Sequence, residues 1–366
     1  MKKNNNREIC NIDLLRGIAA ITILFWHYQH LYFPEAGVNP LGEQRAIQPL
    51  FPIFSWLYLY GSWAVQFFWI LSGYVFFHAY AERRDVSARD YFVNRFSRLY
   101  PLHVITLVVV AILQFVSMRY FGKYQIYPQN DAYHFLLNLF MASHWGFQEG
   151  FSFNAPIWSI SVEVLVYALF FVYLRGLGVG LVSGLAWLAF SLVLLKTSSS
   201  PILECAALFS LGGAVNRLGL AIARQWGVRT GALLAAASLL IPAILLAGER
   251  LPFEPVVKFV LFPALIWFAS AIERQGISAG KVGVALGNLT YSSYLIHVPI
   301  QIVLIMLLDT FFGGRELVNS PAFFLCYLGG VLLASWFTFR LVELPLKLKL
   351  RTWLGAAPLA AARARA

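Results

Sequence analysis

The sequence predicts an all-α protein, a polytopic membrane bundle of about 10 transmembrane helices with N- and C-termini cytoplasmic. Three observations carry this expectation. Of 366 residues, 59% are hydrophobic and 12% charged, whereas a soluble domain carries roughly 25% charged residues. Mean hydropathy is +0.68, so much of the apolar surface must face lipid. Ten stretches approach the length a spanning helix needs: 12–33, 56–80, 99–120, 156–174, 177–195, 202–223, 230–247, 255–272, 288–309 and 321–342. With the N-terminus inside, 21 of the 28 lysines and arginines fall on the inner side. The other seven are Arg45, Arg119, Lys123, Lys196, Arg250, Lys258 and Arg315, a division that follows the positive-inside rule.

Residues 1–8 are short, polar and basic and run into the first span without a small-residue cleavage site, so they read as a flank rather than a signal peptide. That span holds Asp13, Arg16 and His27. Each ionisable group inside a membrane costs at least roughly 2.5 kcal/mol by insertion scales and is a functional candidate by default. Arg16 and His27 stand eleven residues apart, which places them within about 20° of one helix face and about 16 Å apart along the axis. Arg16 is either a snorkelling anchor or a ligand. His27 is either a core histidine bonded to a neighbouring helix or a reactive group.

The second span ends Phe67-Phe68-Trp69-Ile70-Leu71-Ser72-Gly73-Tyr74, where Ser72-Gly73 permits close helix packing. The loop 81–98 is the most basic stretch and ends Arg95-Phe96-Ser97-Arg98-Leu99-Tyr100-Pro101. Two arginines at i, i+3 before a helix suit a phosphate, or simply anchor an inner loop. The outer loops 34–55 and 121–155 are longer and rich in proline, glycine and aromatics. Within the second, 132–147 carries His134, Asn138 and His144 and is too short to span, which fits a re-entrant or interfacial segment.

The fourth span opens Asn154-Ala155-Pro156-Ile157-Trp158-Ser159-Ile160-Ser161-Val162-Glu163. Trp158 suits an interfacial belt. Ser159 and Glu163 share a face at i, i+4, and a carboxylate at that depth needs a partner, for which His27 is available. The glycines at 176, 178 and 180 lie between two spans rather than after a strand, so they indicate packing and not a dinucleotide loop. The ninth span holds Tyr294 and His297 ahead of Pro299, which loosens the local backbone bonds. Arg340 and Glu343 close the tenth as an expected structural ion pair at the inner interface. Residues 1–346 read as one membrane domain and 347–366 as a short basic cytoplasmic tail. The net charge of +11 is that of basic inner loops on anionic lipid, with no independent nucleic-acid module. Cys10, Cys205 and Cys326 form no disulfide framework or zinc signature, and His27 with His30 lacks the further ligands a metal needs.

Taken together and in order, these segments resemble the acyltransferase-3 family of membrane acyltransferases. The resemblance runs from Asp13 to Pro345. It rests on Leu15-Arg16-Gly17 with His27 eleven residues after the arginine, on 67–73, on 95–101, on 158–163, on 291–297 and on Val342-Glu343-Leu344-Pro345. It implies about ten spans and O-acylation, most often O-acetylation, of cell-surface sugars and other hydroxyl-bearing molecules, with acetyl-CoA or other acyl-CoA as co-substrate and no metal. Some members add an SGNH-type domain, and this chain resembles the stand-alone form. With the topology, the resemblance implies that Arg95 and Arg98, helped by Arg16, hold the phosphates of cytosolic acyl-CoA. His27 then acts as general base or as a transient acyl carrier, and Glu163 orients it. Trp158 and Ser159 shape the acceptor side, with Ser72, Tyr294 and His297 in the same cavity. Expected partners are acyl-CoA, a glycan or small-molecule acceptor and the lipid bilayer, in a bacterial inner membrane, with no nucleic acid. The alternative is a transporter or flippase of a sugar or glycolipid with a buried His/Arg/Glu relay, although two similar halves with broken helices are missing. The acceptor, acyl length, base-or-carrier question and oligomeric state stay open at this level.

Overall fold

A computed structural model describes residues 9–42, 45–80, 86–248 and 252–355. Among them there are helices and loops but no strand. The basic flank 1–8, Arg83, Arg84, Arg250 and the tail residues 356–366 lie outside the described residues.

Eight helical segments are long and apolar enough to cross a membrane: Cys10–Tyr32, Ala88–Phe121, Ile157–Gly176, Pro201–Trp226, Val228–Ala247, Phe253–Arg274, Gly280–Phe311 and Pro321–Trp353. A ninth, Leu181–Thr197, is a shorter apolar helix. The chain is thus an all-α membrane bundle, but two expected spans differ from the sequence reading. Residues 56–80 arrive in three pieces: helix Phe51–Tyr60 (α2), a 3₁₀ turn Gly61–Trp63, and helix Ala64–Tyr80 (α3). Gly61 packs on the first helix, Cys10–His27 (α1), so closely that a Cβ would sit 2.9 Å from the Thr22 carbonyl oxygen. Hydropathy stays high across this turn, so it gives no apolar-run signal of the break.

The second difference concerns the basic stretch 81–98. From Ala88 onward it is not a loop but the start of a 34-residue helix, Ala88–Phe121 (α4). The Ser87 hydroxyl accepts the Asp90 N–H at 3.0 Å and caps it. At about 1.5 Å per residue α4 is about 51 Å long, well beyond the roughly 30 Å hydrocarbon thickness. Its first turns, with Arg95 and Arg98, therefore belong to the same helix as the span, with Pro101 between them. The short helix Ala132–Leu139 (α5) occupies the segment expected to be re-entrant or interfacial. Then follow Ile157–Gly176 (α6), Leu181–Thr197 (α7), Pro201–Trp226 (α8), Val228–Ser238 (α9) and Leu240–Ala247 (α10). The order ends with Phe253–Val256 (α11), a π segment, Phe262–Arg274 (α12), Gly280–Phe311 (α13), Pro321–Thr338 (α14), a π turn Phe339–Glu343 and Leu344–Trp353 (α15). The expected tail thus begins inside α15.

Lipid offers no hydrophobic drive between helices, so close van der Waals fit must supply it, and small residues mark the seams. On α3 and α8, Gly73 lies against the Phe209 carbonyl and Gly212 against the Ile70 carbonyl, with no room for a methyl at either. α1 and α13 run parallel. Gly283 abuts the Cys10 carbonyl, a Cβ on Gly287 would meet that of Asp13 at 2.7 Å, and His27 reaches His297 further along. Two apolar cores flank this frame. One is aromatic, around Trp69, Phe76, Phe77, Phe170 and Phe209. The other gathers Tyr28, Tyr58, Phe324 and Tyr327.

The expected Arg340–Glu343 pair is absent. Arg340 is exposed and its guanidinium lies over Trp336, 4.7 Å from the ring centroid. Glu343 is buried and accepts from the Ser292 hydroxyl at 2.6 Å. The π turn between them adds a residue to the helical register, so i and i+3 no longer share a face.

Two measurements on the detergent-solubilised protein check this architecture. Gly212→Ala should destabilise by about 1–3 kcal/mol through overpacking, while Gly329→Ala, where an added Cβ meets open space, should not lower the melting midpoint. In a double-mutant cycle, Arg340→Ala and Glu343→Gln should add within about 0.5 kcal/mol; a larger coupling would restore the ion pair.

Candidate active site

Five helices converge on one narrow cavity. α1 contributes Arg16, α3 Phe68, Trp69 and Ser72, α4 Arg95 and Arg98, α6 Ser159, Glu163 and Tyr167, and α13 Thr290, Tyr291 and Tyr294. Its volume is about 100 Å³; a water in the liquid takes about 30 Å³. Three guanidiniums and one carboxylate make its wall net cationic. Arg16 leans on Asp13 at 3.3 Å. Arg95 is stacked on Phe76, 4.2 Å from the ring centroid, and bonds the Tyr80 hydroxyl. Arg98 lies in the fields of Arg16, Arg95 and Glu343. The Tyr291 hydroxyl donates to the Leu99 carbonyl, fixing α13 to α4 two residues before Pro101.

Glu163 bonds Ser72 and Tyr167, and its Oε1 has no hydrogen-bond partner among the described residues. Arg95 Nε is likewise unmatched. A buried acceptor and a buried donor left free in one cationic cavity are groups that a polar ligand can satisfy.

A second constellation lies one contact away. His27, the last residue of α1, is half-buried beside two other imidazoles. The rings of His30 and His297 both lie near-parallel to that of His27, each with its centroid 4.8 Å away. His297 Nε2 is 3.0 Å from His27 Nδ1, and His297 Nδ1 is 3.0 Å from the Ser293 carbonyl. His30 Nδ1 lies 3.0 Å from Gln301 Oε1, and its Nε2 3.3 Å from the Tyr127 hydroxyl. The Gln301 amide nitrogen donates to the His27 carbonyl at 2.8 Å and to the Tyr327 hydroxyl at 3.0 Å.

Tyr294 joins the two constellations. It lines the cavity, its ring centroid is 6.2 Å from that of His297, and its hydroxyl lies 2.7 Å from Ser159 Oγ and 2.8 Å from the Pro156 carbonyl. His27 itself does not line the cavity. The sequence reading paired Glu163 with His27, and the structure brings the two into no direct contact. Glu163 turns to α3 and to Tyr167 of its own helix, while His27 turns to α13. Arg16, Arg95, Arg98, Ser72, Ser159, Glu163 and Tyr294 do share one cavity. Trp158 stands outside it, edge-on to Trp69 at 5.8 Å and 5.0 Å from His144.

The loop over this end is held by polar bonds and by strain. Ile126, Met141 and Phe153 are non-glycine residues at positive φ, an uncommon conformation for such side chains. Asp131 caps α5 and bonds His134 Nδ1 at 2.8 Å, resembling a catalytic dyad. His134 Nε2, however, accepts the Glu149 N–H at 3.2 Å, so no lone pair remains for chemistry. The His134 backbone N–H holds the Asp131 carboxyl below its ordinary range. Pro299 lacks the N–H that would bond the Leu295 carbonyl, and Asn154 Nδ2 takes that carbonyl at 2.8 Å. This bond ties the entrance of α6 to the histidine-bearing turn of α13.

The sequence reading passed over Tyr167 and Gln301, and gave no site role to Thr290 or to Tyr291, which opens the matched segment 291–297. Gln301 was detectable, because it stands at i+4 from His297 inside an apolar span and shares its face. The tyrosines carry no such signal among 17. Among the described residues, no group of three or more His, Cys, Asp or Glu is arranged to hold a metal.

A family model for the acyltransferase domain matches residues 10–340. Acyltransferase MdmB of Streptomyces mycarofaciens is 29% identical over 118 residues, a stretch that covers 31% of this chain and 29% of that one. This chain therefore matches less than a third of that curated relative's length. No solved structure gives a significant match. The family match takes in all five helices that wall the cavity and both helices that carry the stacked imidazoles, and on that extent the chain belongs to the acyltransferase-3 family.

Proposed function

We propose that the protein is a membrane O-acyltransferase that moves an acyl group, typically acetyl, from cytosolic acyl-CoA to a hydroxyl of an extracytoplasmic acceptor, a cell-surface or lipid-linked sugar. One observation carries this reading. Three arginines share a narrow buried cavity with Ser159 and Tyr294, and Tyr294 in turn contacts the His27–His297 pair.

Guanidinium forks suit phosphate oxygens, so Arg95, Arg98 and Arg16 receive the phosphates of the donor at the positive-inside face. The thin acyl-bearing arm enters the cavity, where Glu163 Oε1 accepts an amide N–H from it. For the thioester to reach His27, the Tyr294 hydroxyl releases Pro156 and its ring swings aside. His27 Nε2 then takes the proton of the acceptor hydroxyl. The alkoxide oxygen forms a bond to the thioester carbonyl carbon, the C–S bond breaks, and the departing thiolate recovers the proton from His27 as free CoA. Glu163 serves the donor side and is not the partner of His27.

Two tests follow. Mass spectrometry of surface glycans from cells with and without the gene should show the loss of an O-acyl increment, and identical glycans would remove the surface-sugar acceptor. In membranes supplied with acetyl-CoA, His27→Ala should cut the rate by about 10²-fold or more, the lower end for general-base catalysis. Arg95→Ala and Arg98→Ala should raise the acetyl-CoA KM about 10- to 100-fold, as expected from losing a charge-assisted bond. An unchanged KM in both arginine variants would move the donor site elsewhere.

A further inference from the structure

The proposed reaction needs His27 to present a lone pair, and a neutral imidazole has that pair on only one of its two nitrogens. The neighbouring bonds decide which. The Ser293 carbonyl can only accept, so His297 Nδ1, 3.0 Å away, carries a hydrogen. In neutral His297 the lone pair therefore sits on Nε2, facing His27 Nδ1 at 3.0 Å. His27 Nδ1 must then be the donor, and the lone pair of His27 falls on Nε2. That atom makes no hydrogen bond to any described residue.

The rest of the stack excludes other assignments. The His27 carbonyl can only accept, so the Gln301 atom 2.8 Å from it is the amide nitrogen, and the Gln301 oxygen must face His30. His30 Nδ1 is thus a donor and its Nε2 accepts from Tyr127. Both nitrogens of His30 are engaged, as are both nitrogens of His297. His30 also packs near-parallel to the His27 ring, and Gln301 holds its backbone.

We infer that His297 is the positioning residue of the reaction: by accepting the His27 Nδ1 hydrogen it sets the tautomer and aim of His27, the part that Glu163 does not play. This rests on His27 being the base. A neutral imidazole here replaces the carboxylate of a Ser-His-Asp triad, whose loss in favour of the wrong tautomer costs about 10⁴-fold. The buried group that steadies the imidazolium then brings no charge of its own into the bundle, where each charge is costly.

The test separates the two ends of the His297 ring. A glutamine places its side-chain oxygen near the former Nε2 and can still accept from His27. An asparagine reaches only the former Nδ1 position and can serve Ser293 but not His27. Native membrane vesicles holding the acceptor are supplied with radiolabelled acetyl-CoA, and rates are normalised to the amount of folded protein by melting and immunoblot. His297→Gln should keep the rate within about 3-fold of wild type, while His297→Asn and His297→Leu lose about 10²-fold, the acetyl-CoA KM staying fixed in all three. Asparagine performing as well as glutamine, a wild-type rate in His297→Leu, or losses expressed in KM would overturn the inference. His27→Ala is run alongside. If it is inactive while His297→Leu is fully active, only the positioning role falls; if it is fully active, the base and the positioning role fall together.

Discussion

Inside a bilayer a polar atom can be satisfied only by the protein or by a ligand, because water is absent. That constraint organises the bundle more than any single apolar contact. Pro299 deprives a carbonyl of its amide, and Asn154 reaches across from another segment to replace it. Lys258, buried in a π segment, draws in Glu204 at 3.3 Å and Glu254 at 2.5 Å. Arg95 lies on Phe76 and bonds Tyr80. Compensation is incomplete at several buried atoms among the described residues, Gln66 Oε1 and the Asn216 amide among them, but Glu163 Oε1 and Arg95 Nε are a free acceptor and a free donor that fall together at the cationic cavity.

The apolar frame makes such placement possible. Glycine seams bring α3 against α8 and α1 against α13 at backbone distance. The first seam presents Ser72 beside Glu163, and the second sets His27 against His297. Neither seam can widen without losing the close contacts that substitute for a hydrophobic drive in lipid. The proposed reaction therefore asks movement of side chains, Tyr294 above all, rather than of whole helices.

Much of this was legible in the sequence, and the boundary of legibility has a physical cause. Membrane cost flags every buried ionisable residue whatever its surroundings, so Arg16, His27, Glu163 and His297 stood out without any structure. Helical periodicity relates residues on one helix, which is why Ser159 and Glu163 could be placed on one face. It says nothing about which face of another helix they meet. The expected Glu163–His27 pair failed on that account, and so did Arg340–Glu343, where a π turn altered the register that the spacing assumed. The break at Gly61 and the extension of α4 through the basic stretch were hidden for the opposite reasons. The first lies within unbroken hydrophobicity, and the second within charge that masks a well-capped helix.

The Asn154 clasp has a mechanical corollary. α13 has lost one internal rung beside its imidazole, and the replacement belongs to the segment that leads into α6. The helix can bend at that level only by dragging the neighbouring entrance with it. Any displacement of the chain at Phe153, one residue before the clasp, is therefore shared with the turn that carries His297.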